Sequence, residues 1–559
     1  MKKFTLIGLM FSLLVLFSCE RDDLKGDKIQ EGKDAVIILR ENLGDRVSKE
    51  NAGVVSLIGP NTVISYGGLK SAAIGSEETD DPASDLPLVL VAEVAAPKYQ
   101  GTTLRATHVV LNGNYAYVSY NLEGDNYLGA IDLIDISDPD NPHLVESAIL
   151  PKTDVSSIAY ADNTLYLATA SLEFVAERDD RALLIQMKLD GGFFTDDLEF
   201  MEMAGYVATD IAVGNNMLYG VSGDNGLLGA YSLTDHKLKS STNLADLRAV
   251  GLVDGQVVAL SGATGIRVYD ASLNETKQIA TSSADVPHAK RTLDFYSGNV
   301  LAAEGFNGVG VYDLTSGTKG NTIPIARPNG LEASEDEIVS NAVSVNNNHI
   351  FMANGAAGVA VISMVSGDIE QVVDFGSIAL PGSANYVRSE GIYVFVADGF
   401  GGLQILKMLA GNAEDDDDEP ELTCDSYPFY EGNKNLTVTT DLSYRGPAAL
   451  NHVEVNSNAS LTWCGTLGVG QHIVINSYAV LHIIGELAQG EKNQNFYINQ
   501  NGTLRIEGDI TIYGNLVLHS YSTIEFIGPN SSITIHGTVT KADNVSIIGD
   551  FTDHSNKLK

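Results

Sequence analysis

Between Leu88 and Leu409 apolar and polar residues alternate in short runs, and one unit recurs along the whole stretch. Each copy is an apolar strand, a Gly-x-x-Gly turn and a second alternating strand, with clear turns at Gly262 to Gly265, Gly305 to Gly308, Gly355 to Gly358 and Gly399 to Gly402. Anchoring on the strand before the turn gives Tyr117, Tyr166, Tyr219, Val258, Leu301, Phe351 and Phe395, with steps of 39 to 53 residues. The span 88–409 holds 322 residues, or 46 for each of seven copies. Three or four short strands at that period predict propeller blades. The seventh copy stops near Met408 without an outer strand, whereas Leu88–Val94 precedes the first copy as a strand without a partner. Pairing the two closes the ring and hides both open edges.

A different period governs residues 424–559. Alternating segments end in Gly465, Gly485, Gly508, Gly528 and Gly549, spaced by 20, 23, 20 and 21 residues. A repeat near 20 with small residues at its corners predicts the coils of a parallel β-solenoid, with an antiparallel sandwich as the competing arrangement. Asn456, Asn476 and Asn499 share one repeat position and are expected to stack as a hydrogen-bonded ladder. The fold class is therefore all-β: a seven-bladed β-propeller at 88–409, then a small parallel β-solenoid domain at 424–559.

Outside the repeats the pattern changes. Met1-Lys2-Lys3 is a basic head, and Phe4 to Phe17 is an apolar run of 14 residues, too short to span a bilayer comfortably and suited to a signal-peptide core. The run ends in Leu16-Phe17-Ser18-Cys19, which resembles a bacterial lipobox. That resemblance implies cleavage after residue 18 and lipidation of Cys19. The acidic Glu20-Arg21-Asp22-Asp23 looks like a surface-export signal of some Gram-negative lipoproteins. The expected location is the outer membrane, surface exposed, with the lipid as the only anchor. Residues 19–87 are expected to form a tether with a single hairpin, and 410–423, with five consecutive acids from Asp415 to Glu419, an extended linker. Cys424 and Cys464 remain as an even pair able to form a disulfide in an exported protein.

Composition narrows the partners. With 72 acidic and 34 basic residues the net charge is −38, which argues against nucleic acid and against an anionic membrane surface. In the first copy, Ile131-Asp-Leu-Ile-Asp-Ile-Ser-Asp-Pro-Asp-Asn-Pro-His-Leu-Val145 resembles the LVIVD-repeat family, whose repeats are propeller-like and common on exported bacterial proteins. That resemblance implies the fold and little about activity. Asp135, Asp138, Asp140 and Asn141 in this stretch are read as a turn with aspartates bound to backbone amides, in preference to a calcium loop.

Chemistry is expected where the innermost strands meet the central channel. Counting back ten residues from each anchor gives Thr107, Ser156, Thr209, Arg248, Arg291, Asn341 and Asn385, all polar. Two residues later stand Val109, Ile158, Ile211, Val250, Leu293, Val343 and Val387, all apolar, as for strands running from a wet mouth into packed sheets. Close in sequence lie His108, Asp210, Asp294, Tyr386, Arg388, His288 and Lys290. Arginines at an axis can hold a carboxylate or sulfate bidentately. Phe306 and Phe400, with Tyr127 and Phe174 on longer turns, offer aromatic platforms. The expected ligand residues are thus Arg248, Arg291, Arg388, His108, Asp210, Asn341, Asn385, Phe306 and Phe400.

The favoured function is a non-catalytic binding module at the cell envelope, with a glycan or an envelope protein as partner. The alternative is a carbohydrate-active enzyme with its site at the propeller mouth and Asp210 and Asp294 as its carboxylates. No cofactor is implied, because P-loop, Gly-x-Ser-x-Gly and His-Glu-x-x-His patterns are absent from the sequence. The histidines 452, 472, 482, 519, 536 and 554 are placed at unlike repeat positions, which speaks against a metal site.

Overall fold

The computed structural model describes residues 35–59, 70–71, 83–124, 126–173, 180–282, 286, 289–409, 424–528 and 530–558. Cys19, the signal segment and the acidic linker lie outside them, as do His288 and Phe174.

Seven sheets form the predicted ring, antiparallel throughout except where Lys70–Ser71 adds in parallel to the outer strand of blade six. In the first, strands Arg105–Asn112, Tyr115–Asn121, Gly129–Asp135 and His143–Leu150 run from the innermost outward, and the next five blades repeat that order. The seventh is composite. Its inner strands Tyr386–Glu390, Tyr393–Ala397 and Leu403–Met408 are completed by Leu88–Val94, in the register Leu403 to Val94 through Met408 to Leu88. Chain closure by the first strand of the propeller is thus as expected. Apolar residues from facing sheets fill the spaces between blades; Tyr117, Tyr219, Tyr269, Tyr312 and Phe351 are almost wholly enclosed there.

Residues 435–553 wind into a parallel solenoid. One sheet stacks six strands, from Asn435–Val438 to Val539–Lys541, and every pairing in it is parallel. A second face pairs Ser460–Val469, Val480–Gln489 and Thr503–Ile512 along their full length, with Gly465, Gly485 and Gly508 in register. Each of these glycines has φ between 115° and 132°, which side chains rarely adopt, and a Cβ on Gly508 would stand 2.2 Å from the Gly485 carbonyl oxygen. The interior is aliphatic, with Trp463 against Tyr430 and Tyr444 near its first coils. Asn499 donates to Asn476 at 3.0 Å and Asn476 to Asn456 at 3.4 Å, so the asparagine ladder forms. Cys424 and Cys464 are disulfide-bonded, fastening the start of this domain to its second coil.

One histidine assignment is corrected. His452 and His472 share a column, since Val453 pairs with Ile473, and that column continues through Asn495 and Asn515 as a second polar ladder.

The described part of 19–87 is neither a tether nor a hairpin. Val47–Ser48 and Gly53–Val55 both pair antiparallel with Leu88–Val94, so they cover the outer edge of blade seven instead of pairing with each other. Ile37–Leu39 extends blade one in the same way. Arg46 pairs with the fully enclosed Asp132 of the first repeat and donates to Ala95 O. These strands are only two or three residues long, and their apolar side chains find a core only once the propeller exists. Of two short runs that look strand-like in sequence, Val54–Ile58 overlaps the strand Gly53–Val55, and Thr62–Ser65 falls outside the described residues.

The same segment joins the two domains. Val54 N donates to Gly490 O at 2.9 Å, Lys434 Nζ to Leu57 O at 3.0 Å, and Ala449 N to Ser84 O at 2.8 Å. Ala488 of the solenoid packs in one cluster with Val54, Val89 and Val91. The turn of the first repeat faces this seam: Asp140 accepts from Tyr393 and Lys407, while Asp138 binds the Asp140 amide and Asn141. Among the described residues no group of three or more His, Cys, Asp or Glu is arranged to hold a metal ion.

Candidate functional site

The residues expected at the axis do converge, and a local device aims them. In blades one to four the ladder between the two innermost strands slips by one residue, and the extra residue is Thr107, Ser156, Thr209 and Arg248 in turn. A β-bulge of this kind turns one side chain out of the sheet's alternation. In blades six and seven Asn341 and Asn385 hold the equivalent place just before the strand begins. These six, with Arg105, Asn121, Ala289 and Lys290, line a cavity of about 290 Å³ at the mouth of the channel.

Most of the polar ring also stitches one blade to the next. Thr107 Oγ1 donates to Val155 O at 2.8 Å, Thr209 Oγ1 to Leu247 O at 3.1 Å and Arg248 Nη1 to Ala289 O at 3.2 Å. Asn341 Nδ2 donates to Ala384 O at 3.1 Å, and Asn385 Nδ2 closes the circle at Ala106 O, 2.9 Å away. The polarity of the ring therefore has a structural cause. Below it the apolar ring is as expected, with Val109, Ile158, Ile211, Val250, Val343 and Val387 buried and Leu293 half-buried.

In blade five the lining residue is Lys290, not Arg291. Arg291 sits at φ 62° and is wholly enclosed, with Nε on Ala303 O, so it does not face the cavity. Lys290 reaches across the channel instead. Its Nζ donates to Thr107 O at 2.8 Å and Ser156 O at 2.5 Å, in blades one and two, and lies 5.4 Å from the centre of the Tyr386 ring. Burial, opposed by the charge of Asp210, lowers its ammonium to about 7. The next residues along the strands form the layer around it. His108 packs against Tyr386 with ring centres 3.8 Å apart and the planes tilted by 33°. Burial first, then Lys290 and Arg388, hold its imidazolium well below the usual range.

Asp210 is buried and Asp294 half-buried, and the loss of hydration raises both carboxyls. Ser157 Oγ and Val250 N donate to Asp210 at 2.7 and 3.0 Å. Phe295 N and Val345 N donate to Asp294 at 2.8 and 2.7 Å. Neither lines the cavity. Arg388 does not line it either; its side chain is partly exposed and stands 3.9 Å from Glu390.

Two arginines complete the mouth. Arg248 is paired with Asp246 at 2.5 Å, and Arg105, which the ten-residue offset misses, with Glu123 at 2.6 Å. Arg105 stands opposite Asn121 in the ladder and two residues before the bulged Thr107, which brings both beside the ring. Phe400 is 59% exposed, its ring centre 5.6 Å from the Arg105 guanidinium carbon. Phe306 is half-exposed but belongs to another cavity, of about 430 Å³, beside Asn307, Asn321 and Pro324. The lining of the mouth holds no Asp or Glu, although Asp246 and Glu123 pair with its two arginines from outside the wall.

The repeat suggested by Ile131 to Val145 is confirmed. Residues 105–148 match the LVIVD repeat. That repeat spans all of blade one, with Asp132 and Asp140 engaged as described above. No curated protein matches the chain. Among solved structures the chain is similar to the WD40 β-propeller domain of Doa1, at 13% identity over 56% of this chain and 95% of that one, TM-score 0.42. It is similar also to U3-55K, at 12% identity over 56% and 97%, TM-score 0.43, and to the RRP9 WD40 repeats, at 13% over 59% and 100%, TM-score 0.43.

Proposed function

We propose that this protein is a lipid-anchored envelope protein whose propeller mouth binds a small anionic group, a carboxylate or sulfate carried on a glycan, without turning it over. The observation that carries the reading is the lining itself: Arg105, Arg248 and Lys290 among amides and hydroxyls, with no carboxylate in the wall. Guanidiniums suit planar or tetrahedral oxyanions, and the amides of Asn121, Asn341 and Asn385 suit sugar hydroxyls. A volume of about 290 Å³ is at the small end for ligand sites, which favours one acidic sugar over a long segment. Hydrolysis of a glycosidic bond calls for two carboxyls roughly 5–9.5 Å apart around the substrate. Asp210 and Asp294, the candidates, sit outside the wall and are occupied by backbone amides, which favours binding over catalysis.

Anchoring by Cys19 and exposure at the outer membrane are parts of the same proposal and rest on the lipobox and the acidic residues after it. A glycan array of carboxylated, sulfated and neutral oligosaccharides, run beside an assay for released reducing ends, tests it. Retention of acidic glycans without product supports the proposal. No acidic ligand for the wild type, or product formation abolished by Asp210→Asn, overturns it.

A further inference from the structure

We propose a second glycan site, on the outer corner of the solenoid, that takes an extended uncharged β-linked polysaccharide. Three residues beyond the stacked strand ends Val455, Ile475, Ile498, Leu518 and Lys541, five successive coils turn through a residue with positive φ, whereas the first coil, ending at Val438, has Asp441 there without one. Those residues are Asn458, Tyr478, Asn501, Tyr521 and Asn544, at φ 65°, 63°, 62°, 63° and 63°. Asparagine suits this left-handed conformation because its short amide can bond locally, whereas a bulky side chain there is strained. Tyr478 and Tyr521 gain no packing for that strain, being 65% and 56% exposed. A strained, solvent-facing aromatic at alternate coils of a repeat is better explained by a ligand than by folding.

The spacing says which ligand. Stacked strands lie about 4.8 Å apart, so phenols two coils apart stand about 9–10 Å from each other along the axis. In an extended β-1,4-linked hexose chain successive sugars are turned over, and the same apolar face recurs at every second residue with a rise close to that distance. Tyr478 and Tyr521 then stack on alternate sugars, and the amides of Asn458, Asn501 and Asn544 meet the hydroxyls between. The residues preceding the turn in these five coils are Ser457, Ser477, Gln500, Ser520 and Asp543. With the ridge uncharged from Asn458 to Tyr521 and an acid at each end, Asp441 and Asp543, on a chain of net charge −38, a neutral polymer is favoured over an acidic one.

The test is affinity electrophoresis of the full chain in gels containing glucomannan, with soluble starch as the α-linked contrast, and calorimetry with cellohexaose against maltohexaose. Tyr478→Asn and Tyr521→Asn each install the residue that neighbouring coils already carry. Each is expected to weaken glucomannan binding roughly tenfold or more, and the double variant to abolish it. The midpoint of unfolding followed by Trp463 emission should stay level or rise. Arg105→Ala with Arg248→Ala should leave this binding intact, which separates it from the mouth. The proposal is overturned if the wild type ignores glucomannan, if starch binds equally, if the double variant binds as the wild type does, or if stability falls.

Discussion

Replacing Lys290 by methionine isolates the charge at the floor of the mouth while keeping the length and apolar stem of the side chain. The ammonium is lowered from 10.5 to about 7 by burial, so between those values the unfolded chain holds a proton that the folded chain has released. Stability must then rise as pH rises through that window, by at most about 1.4 kcal/mol per pH unit. Integrated from pH 7 to pH 9, this one group contributes roughly 2 kcal/mol of added stability. The variant loses that dependence. Its curve is flat or falls slightly, because Asp210, whose raised carboxyl Lys290 opposes, loses its nearest positive charge. Urea unfolding followed by tyrosine circular dichroism at pH 7, 8 and 9 reads the difference, since the only tryptophan, Trp463, lies in the solenoid. A wild type whose stability is level or decreasing from pH 7 to pH 9, or a Lys290→Met variant that keeps the wild-type slope, refutes the reasoning.

Asp398, buried in the Gly399 turn of blade seven, has its carboxyl raised to about 7, chiefly by burial. Such a group binds its proton more tightly when folded, so its contribution is lost as pH rises from about 4 to 7. Asp398→Asn should therefore stabilise the propeller by roughly 2–4 kcal/mol at pH 8 and leave it unchanged at pH 4, read by the same urea titration. Val89 is the second residue of the closing strand, fully buried and paired with Lys407 on one side and Val54 on the other. Val89→Asp buries an unpaired charge there and should cost about 4 kcal/mol or more, seen as loss of near-ultraviolet dichroism and of soluble yield. Cys424 and Cys464 are 40 residues apart, for which chain entropy gives about 4 kcal/mol. Replacing both with serine should lower the Trp463 unfolding midpoint accordingly, with little change in the propeller transition.

The ring of seven was legible because the switch from polar to apolar falls at a fixed distance before each anchor, and the bulges keep that distance in blades one to four. It slips in blade five, where the innermost strand starts only at Leu293 and Arg291 adopts positive φ, so the neighbouring Lys290 takes the axial place. Arg105 and Asn121 carry no periodic signal of their own. Their role follows from facing each other across a hairpin, although Arg105 lies only two residues before Thr107. The solenoid columns could be read from the chain, and the shared place of His452 and His472 was equally present in the 20-residue step. The seam formed by residues 47–58 could not be read. Its strands are too short to show alternation, and what fixes them is the edge of blade seven and carbonyls such as Gly490 O, hundreds of residues away.

The claim that the mouth is an anion-selective sugar site is tested most directly by calorimetry with two matched monosaccharides, glucuronate and glucose, both too short to bridge Tyr478 and Tyr521. Glucuronate alone is expected to bind, about tenfold or more weakly after Arg105→Ala with Arg248→Ala, unchanged by Tyr478→Asn, and more tightly at pH 6 than at pH 8 as Lys290 gains its proton. Equal binding of the two sugars, or glucuronate binding that survives loss of both arginines, would contradict it.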